Sequence, residues 1–395
     1  MSGVAEKARF YLERSVPQLR EWQQKEIFTE EEIRTIVQKR NDFEHKVLSP
    51  GNKASDWSAY AKWEQSLEAL RSKRCVRLKL RRLNSAHNGQ ARVMAIYERA
   101  VNRHSASHEL WREYLEYTAK VKATKRWRRI MTNALRMNPT QPDLWIMAGR
   151  RSAHNGDMAA ARAYFMRGCR FCTRDCMLWI DYARCEMEWL RKVERRKKAK
   201  PANDALRPDK TEEGDQLLLG DSDDEDDEEG GLPEPSAAQA KIIDKQSAQK
   251  LESNPAMDGA IPMAIFDISQ RQAFFQPEVA EMFFIMFASF RDVAVQGRIS
   301  QHVMEVLNEK YPNHPSTCNC HIQEPILGVS PFTAEFPRNL RDVLPRLKEG
   351  LSNTTDRSAL VRKTTDWIDG YLALEGLDPS IKTVLEHTKK SLASS

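Results

Sequence analysis

Three stretches one spacing apart decide the fold: Trp111-Arg-Glu-Tyr114-Leu-Glu116, Trp145-Ile-Met-Ala148 and Trp179-Ile-Asp-Tyr182-Ala-Arg-Cys-Glu186. The tryptophans recur every 34 residues, and each opens a segment whose apolar positions follow helical spacing. Trp57-Ser-Ala-Tyr60-Ala-Lys-Trp63-Glu64 has the same form 54 residues before Trp111, which implies a longer first helix or an added turn there. Between these segments lies a second periodic helix with its own 34-residue register. Tyr97, Met131 and Phe165 supply a large residue, and Ala100, Ala134 and Gly168 supply a small one. A large side chain filling a groove, beside a small one that admits a neighbouring backbone, suits helix pairs stacked on one another.

Turn chemistry points the same way. Ser-Ala-His-Asn-Gly occurs at 85–89 and again at 152–156, and its Asn-Gly predicts the turn between the two helices of a pair. Met137-Asn-Pro-Thr-Gln-Pro142 marks the handover from one pair to the next. The expected fold is all-α: a right-handed antiparallel helical-repeat solenoid preceded by an N-terminal helical segment.

Working outward, residues 1–50 form that segment, in which Thr29 and Glu32 make a capping box and Phe28 a hydrophobic staple. Ile33, Ile36, Val37, Arg40, Phe43 and Val47 continue as one mostly apolar stripe that requires a partner surface. The repeat array occupies residues 51–200. Residues 201–254 read as an acidic disordered linker, since Asp221 to Glu229 carries eight acids in nine positions and such self-repelling charge cannot offset the entropy of ordering. Residues 255–350 read as divergent helical repeats, with Pro277–Phe290 as a helix apolar on most of its surface, Ser300–Tyr311 as a second, and Cys318 or Cys320 where a tryptophan would open the next. Residues 322–350 show no clear period, and 351–395 read as a helical tail.

The chain has 395 residues and a net charge of +6. That small excess hides an asymmetry: residues 1–200 carry 43 Lys/Arg against 23 Asp/Glu, and the remainder 19 against 33. A basic half is suited to a polyanion such as RNA or to an acidic protein. Four of the 18 prolines fall in the first 200 residues, which leaves that half free to be helical. Seven cysteines, an odd number widely spread, and an opening without an apolar core point to a reducing compartment. The longest apolar run, Met282–Phe290, is about half of what a membrane-spanning helix needs.

The Trp-x-x-Tyr-x-x-x-Glu unit of Trp179, Tyr182 and Glu186, with a helix such as Ala95-Ile-Tyr97-Glu98-Arg99-Ala100, resembles the half-a-TPR (HAT) repeat, a family found largely in RNA-processing assemblies. Ala148 stands where that repeat prefers tyrosine. Phe28–Glu44, Trp57–Arg82 and Arg167-Gly-Cys-Arg-Phe-Cys172 resemble a HAT-repeat family of the small-subunit processome. That resemblance implies a non-enzymatic nucleolar scaffold of the UTP-B subcomplex. Its partners would be beta-propeller subunits, U-three small nucleolar RNA and pre-rRNA, the RNA contacts being partly indirect. A directly RNA-binding repeat module, or a HAT factor of pre-mRNA processing, are the alternative readings.

Trp57, Trp111, Trp145 and Trp179 could stack on bases, but their period equals the structural repeat, so packing within the array is the stronger reading. Glu64, Glu116 and Glu186 would pair with neighbouring helices rather than act as acids or bases, because no second matched group accompanies them. Arg71, Lys73, Arg74, Arg77, Lys79, Arg81 and Arg82 place seven cations in twelve residues, with Cys75, Leu78 and Leu83 directed inward. Lys125, Arg126, Arg128 and Arg129 form a second cluster. These clusters are candidates for contact with RNA phosphates or an acidic partner. Arg191–Lys200 reads as a nuclear import signal in competition with polyanion binding, and Ser222, three residues before Glu225, is a candidate site for an acid-directed kinase in a run whose stronger reading is a solvated linker.

Zinc ligation by Cys169, Cys172, Cys176 and Cys185, or by Cys318, Cys320, His314 and His321, is weighed against Cys169 following Val101 and Leu135 at 34-residue steps, a core register. No cofactor is expected. No phosphate-binding loop, zinc-protease motif or nucleophile elbow occurs, since His108-Glu109 is followed by Leu-Trp-Arg112.

Overall fold

The computed structural model describes residues 2–80, 83, 85–199 and 259–393. The acidic run, with Ser222, lies outside the described residues, as do Arg81, Arg82 and the end of the basic segment at Lys200. The described residues form seventeen helices. Ten precede the undescribed segment: α1 (Ser2–Glu13), α2 (Val16–Gln24), α3 (Glu30–Leu48), α4 (Ala54–Arg77), α5 (Asn88–Arg103), α6 (His108–Lys120), α7 (Thr124–Met137), α8 (Pro142–His154), α9 (Met158–Phe171) and α10 (Cys176–Ala199). Seven follow it: α11 (Ala260–Ser269), α12 (Pro277–Ala288), α13 (Gln296–Lys310), α14 (Pro315–Gln323), α15 (Glu335–Asn353), α16 (Arg357–Leu372) and α17 (Pro379–Ala393). None of the described helices is long and apolar enough to cross a membrane.

The chain divides into two compact units, Met1–Ala148 with Met166–Cys172, and Gly149–Phe165 with Thr173–Ser395. In the first, α3 packs on α4, α4 on α5, α5 on α6 and α6 on α7, the neighbour-to-neighbour order of a repeat array. In the second, α11 and α12 pack on α10, α12 on α13 and α14, and α14 on α15 and α16, with α17 on α16. This is an all-α helical-repeat solenoid fold of the TPR/HAT-like type.

One internal rule governs both units. A large residue of the second helix of one pair lies 17 positions before a residue of the first helix of the next. In the first unit Phe43 stacks on Tyr60 with ring centroids 5.1 Å apart and planes 8° from parallel, and Tyr97 stacks on Tyr114 at 5.5 Å and 15°. The third position pairs Met131 with Ala148, both fully buried. In the second unit Phe165 stacks on Tyr182 at 5.1 Å and 7°, and Phe266 meets Phe283 edge-on at 5.4 Å. Val303 and Cys320, also buried, hold the sixth position. Each aromatic pair contributes about 0.5–1.5 kcal/mol beyond simple burial. The register therefore begins inside α3, so the N-terminal stripe finds its partner in α4.

The tryptophans close the joints. Trp57, Trp111, Trp145 and Trp179 are all buried. The indole N–H of Trp111 donates to the Ser105 carbonyl and that of Trp145 to the Pro139 carbonyl, each at 2.8 Å and each six residues back. In the second unit Thr317 takes the tryptophan's place: its hydroxyl donates to the Tyr311 carbonyl, six residues back, at 2.7 Å. The register thus falls on Thr317, one residue before Cys318, and a hydroxyl in the first turn of α14 performs the closure that the indole performs elsewhere.

Several sequence expectations are corrected. Asn88-Gly89 does not form a turn. Helix α5 begins at Asn88, and the missing side chain of Gly89 leaves room for Glu68, whose Cδ would lie 2.6 Å from an added Cβ. At the second copy the turn is present, and Gly156 has φ +88°. Val37 and Leu78 are exposed rather than inward. Helix α13 starts at Gln296, four residues before the expected Ser300, and residues 335–353 form the continuous helix α15 despite Pro345.

Candidate interaction surfaces

Charge inside the first unit is concentrated where α3, α4 and α5 meet. Arg40 is fully buried; its Nε donates to Glu64 Oε1 at 2.6 Å and its Nη2 to Oε2 at 3.0 Å. Glu44, one turn further along α3, accepts from Arg99 at 2.8 and 2.9 Å and from the Tyr60 hydroxyl at 2.9 Å. Burial, reinforced by Glu44 and Glu64, pushes the Tyr60 phenol far up, so it remains a donor at any physiological pH. In the second unit Arg162 repeats the fork on Glu186 at 2.7 and 2.8 Å, again 24 residues apart. The sequence singled out the two glutamates and put Arg40 in the stripe of α3 but did not pair them, and Arg162 carried no signal, although both arginines lie 17 residues before a repeat tryptophan.

Glu116 is the exception among the expected acids. It is exposed and faces Arg112 on its own helix at 3.5 Å. The position seven residues after Trp111 is Thr118, which is fully buried and donates to the Tyr114 and Leu115 carbonyls. Two residues turn a helix by roughly 200°, which carries Glu116 to the outer face. The half-buried Glu113 instead accepts from Ser58 and Lys62 at 2.7–2.9 Å.

The basic run of α4 divides into structural and free members. Arg71 is buried and forks onto Glu68, with a further bond to the Ala86 carbonyl at 3.3 Å. Arg74 donates to both oxygens of Glu32 at 2.7 Å and to the Ile27 carbonyl at 3.0 Å, its guanidinium 4.6 Å from the Phe28 ring centre. Glu32 is also the reciprocal half of the capping box with Thr29. The Arg74 hydrogen bonds, with that from the Thr29 backbone, hold the Glu32 carboxyl at about 2. Lys73 and Arg77 are exposed.

On α7, Lys125, Arg128 and Arg129 are exposed and Arg126 is half-buried against the Met94 sulfur at 3.3 Å. Arg126 and Arg129 share Glu98 at 3.9 and 3.6 Å. The two clusters sit on helices of different pairs. Lys73, Arg77, Lys79 and Arg128 are exposed members of these clusters, and Arg129 is exposed with Glu98 within 3.6 Å.

The cysteines are all free thiols. Cys169 and Cys172 are buried, and the Cys172 thiol approaches the Pro139 carbonyl at 3.7 Å. Burial raises the Cys185 thiol to about 12 and the Cys320 thiol well above its ordinary value. Among the described residues no group of three or more His, Cys, Asp or Glu is arranged to hold a metal ion.

A repeated helix pair, joined by stacked aromatic residues and buried arginine–carboxylate forks, defines a helical-repeat protein. The family described as U3 small nucleolar RNA-associated protein 6 matches residues 12–96, the segment from α1 into α5 that holds the Arg40–Glu64 fork and the first aromatic pair. The chain is 33% identical over 193 residues to U3 small nucleolar RNA-associated protein 6 of Schizosaccharomyces pombe, covering 48% of this chain and 40% of that one. It is 25% identical over 215 residues to the Homo sapiens homolog, 53% of this chain and 36% of that one. To the Mus musculus homolog it is 26% identical over 197 residues, 49% and 33% respectively. The matched region therefore spans between a third and two fifths of each relative.

Proposed function

We propose that the protein is a non-enzymatic scaffold of ribosomal RNA processing, acting in the nucleolus as a subunit of the small-subunit processome. In this reading it belongs to the UTP-B subcomplex. It holds beta-propeller subunits against its helical faces and organises them around U-three small nucleolar RNA and pre-rRNA during maturation of 18S rRNA. One observation carries the reading: residues similar to proteins whose names place them with that small nucleolar RNA coincide with the start of the repeat register, Arg40–Glu64 and Phe43–Tyr60. A stacked array offers an extended surface without an enclosed reaction chamber, the property a scaffold requires.

The test is affinity purification of the tagged protein from its own cells, together with depletion. Recovery of that small nucleolar RNA, with loss of 18S rRNA and unchanged large-subunit rRNA on depletion, is the expected outcome. Recovery of spliceosomal or polyadenylation RNAs instead would transfer the protein to pre-mRNA processing.

A further inference from the structure

Five residues after the repeat tryptophan the first helix of each pair carries a charged residue. The series runs Lys62, Glu116, Arg150, Arg184, so its sign alternates early and becomes arginine twice in succession only at the end. Within the second unit a groove of about 460 Å³ opens at that point, bounded by the end of α8, the start of α9 and the middle of α10. Its basic lining is Arg150, His154, Arg184 and Lys192 against a single carboxylate, Glu188. Arg150 is half-exposed and contacts Asp181 through one nitrogen, while Arg184 and Lys192 are exposed.

The groove also contains the half-buried ring of Trp189. The Arg162 guanidinium lies over this ring, 5.4 Å from its centre, and is itself held by the Glu186 fork. Cations at one-repeat spacing beside a half-buried indole combine the two elements that recognise unpaired nucleic acid, charge for the phosphates and a flat ring for a base. An acidic peptide would use the cations and leave the indole without a matching group.

We propose that this groove is a binding site for single-stranded RNA, with phosphates against Arg150, Arg184 and Lys192 and one base stacked on Trp189. None of these four residues belongs to the basic clusters of α4 and α7. The choice of RNA as the polyanion rests on the reading of the protein as an RNA-processing scaffold, and the site narrows that reading to a direct contact.

The experiment titrates the full chain into a short fluorescein-labelled oligouridylate over a series of salt concentrations. Neutralising two exposed cations, Arg184→Gln with Lys192→Gln, should remove two phosphate contacts and reduce the salt slope of log K by about 1.4, at about 0.7 per contact on a single strand. Trp189→Leu should weaken binding about tenfold through lost stacking while leaving the slope unchanged. Circular dichroism checks folding, and the exposed pair keeps the test valid if Trp189→Leu misfolds. Three results would each overturn the proposal: no binding by the wild-type chain, variants whose affinity and slope match wild type, or a polyglutamate peptide that displaces the RNA at equal concentration. These outcomes are separable from failure of the scaffold reading, which is decided by RNA recovery from cells.

Discussion

Arg40 donates to both carboxylate oxygens of Glu64, 24 residues ahead on the next helix, with 1% and 2% of the two side chains exposed. A pair so enclosed contributes by being complete, because either charge left alone would be desolvated without compensation. Arg40→Met should therefore cost about 3–5 kcal/mol in chemical denaturation, and Arg40→Met combined with Glu64→Leu should cost far less than the single change. Equal losses in the single and double variants would show that the fork fixes nothing.

Gly149 tests the aromatic register in the second unit. A glycine inside α8 would ordinarily gain up to about 1 kcal/mol of helix stability on replacement by alanine. Here an added Cβ would overlap the Phe165 ring that stacks on Tyr182, with Cζ only 2.7 Å away. Gly149→Ala should consequently destabilise by about 1–3 kcal/mol, and Phe165→Leu in the same chain should restore part of that loss. A stabilised Gly149→Ala protein would contradict the packing described.

The repeat was legible because tryptophan is rare and large, so its recurrence every 34 residues stands out and its burial follows from helical spacing. The forks were not legible. Arg40 stands in the apolar stripe of α3 and Arg162 in no motif, and their partners lie on another helix; only the shared distance from a tryptophan exposes them. The basic run of α4 was legible as charge but not as availability. Arg71 is spent on Glu68 three residues away, whereas Arg74 is held by Glu32, 42 residues distant. In the later helices the signal fades because the corresponding positions are filled by Thr317, Val303 and Cys320, three buried residues of different types that repeat no recognisable letter.

Glu32 gives the first unit a defined acid response. Its carboxyl titrates at about 2, below the ordinary 4.5, chiefly because of Arg74. A lowered folded-state value favours the ionised form, so this stabilisation is complete above pH 4.5 and is lost as pH falls from there towards 2. The side chain is 38% exposed, and screening limits the contribution to about 1 kcal/mol. Denaturation midpoints of wild type and Glu32→Gln should differ by a constant amount between pH 5 and 7 and converge between pH 4.5 and 2. A difference that persists unchanged to pH 2 would detach the effect from Glu32 ionisation.

The division of α4 into structural and free cations is testable on one helix. Arg74→Gln removes bonds to Glu32 and the Ile27 carbonyl and the guanidinium over Phe28, and should cost about 1–2 kcal/mol. Lys73→Glu with Arg77→Glu changes the net charge by four on exposed positions and should stay within about 0.5 kcal/mol of wild type. If these two positions meet phosphate, the same reversal lowers RNA affinity and flattens its dependence on salt, whereas Arg74→Gln leaves that dependence alone. Calorimetric melting paired with RNA titration separates the two effects. A reversal that destabilises the fold as much as Arg74→Gln would mean that Lys73 and Arg77 are also structural.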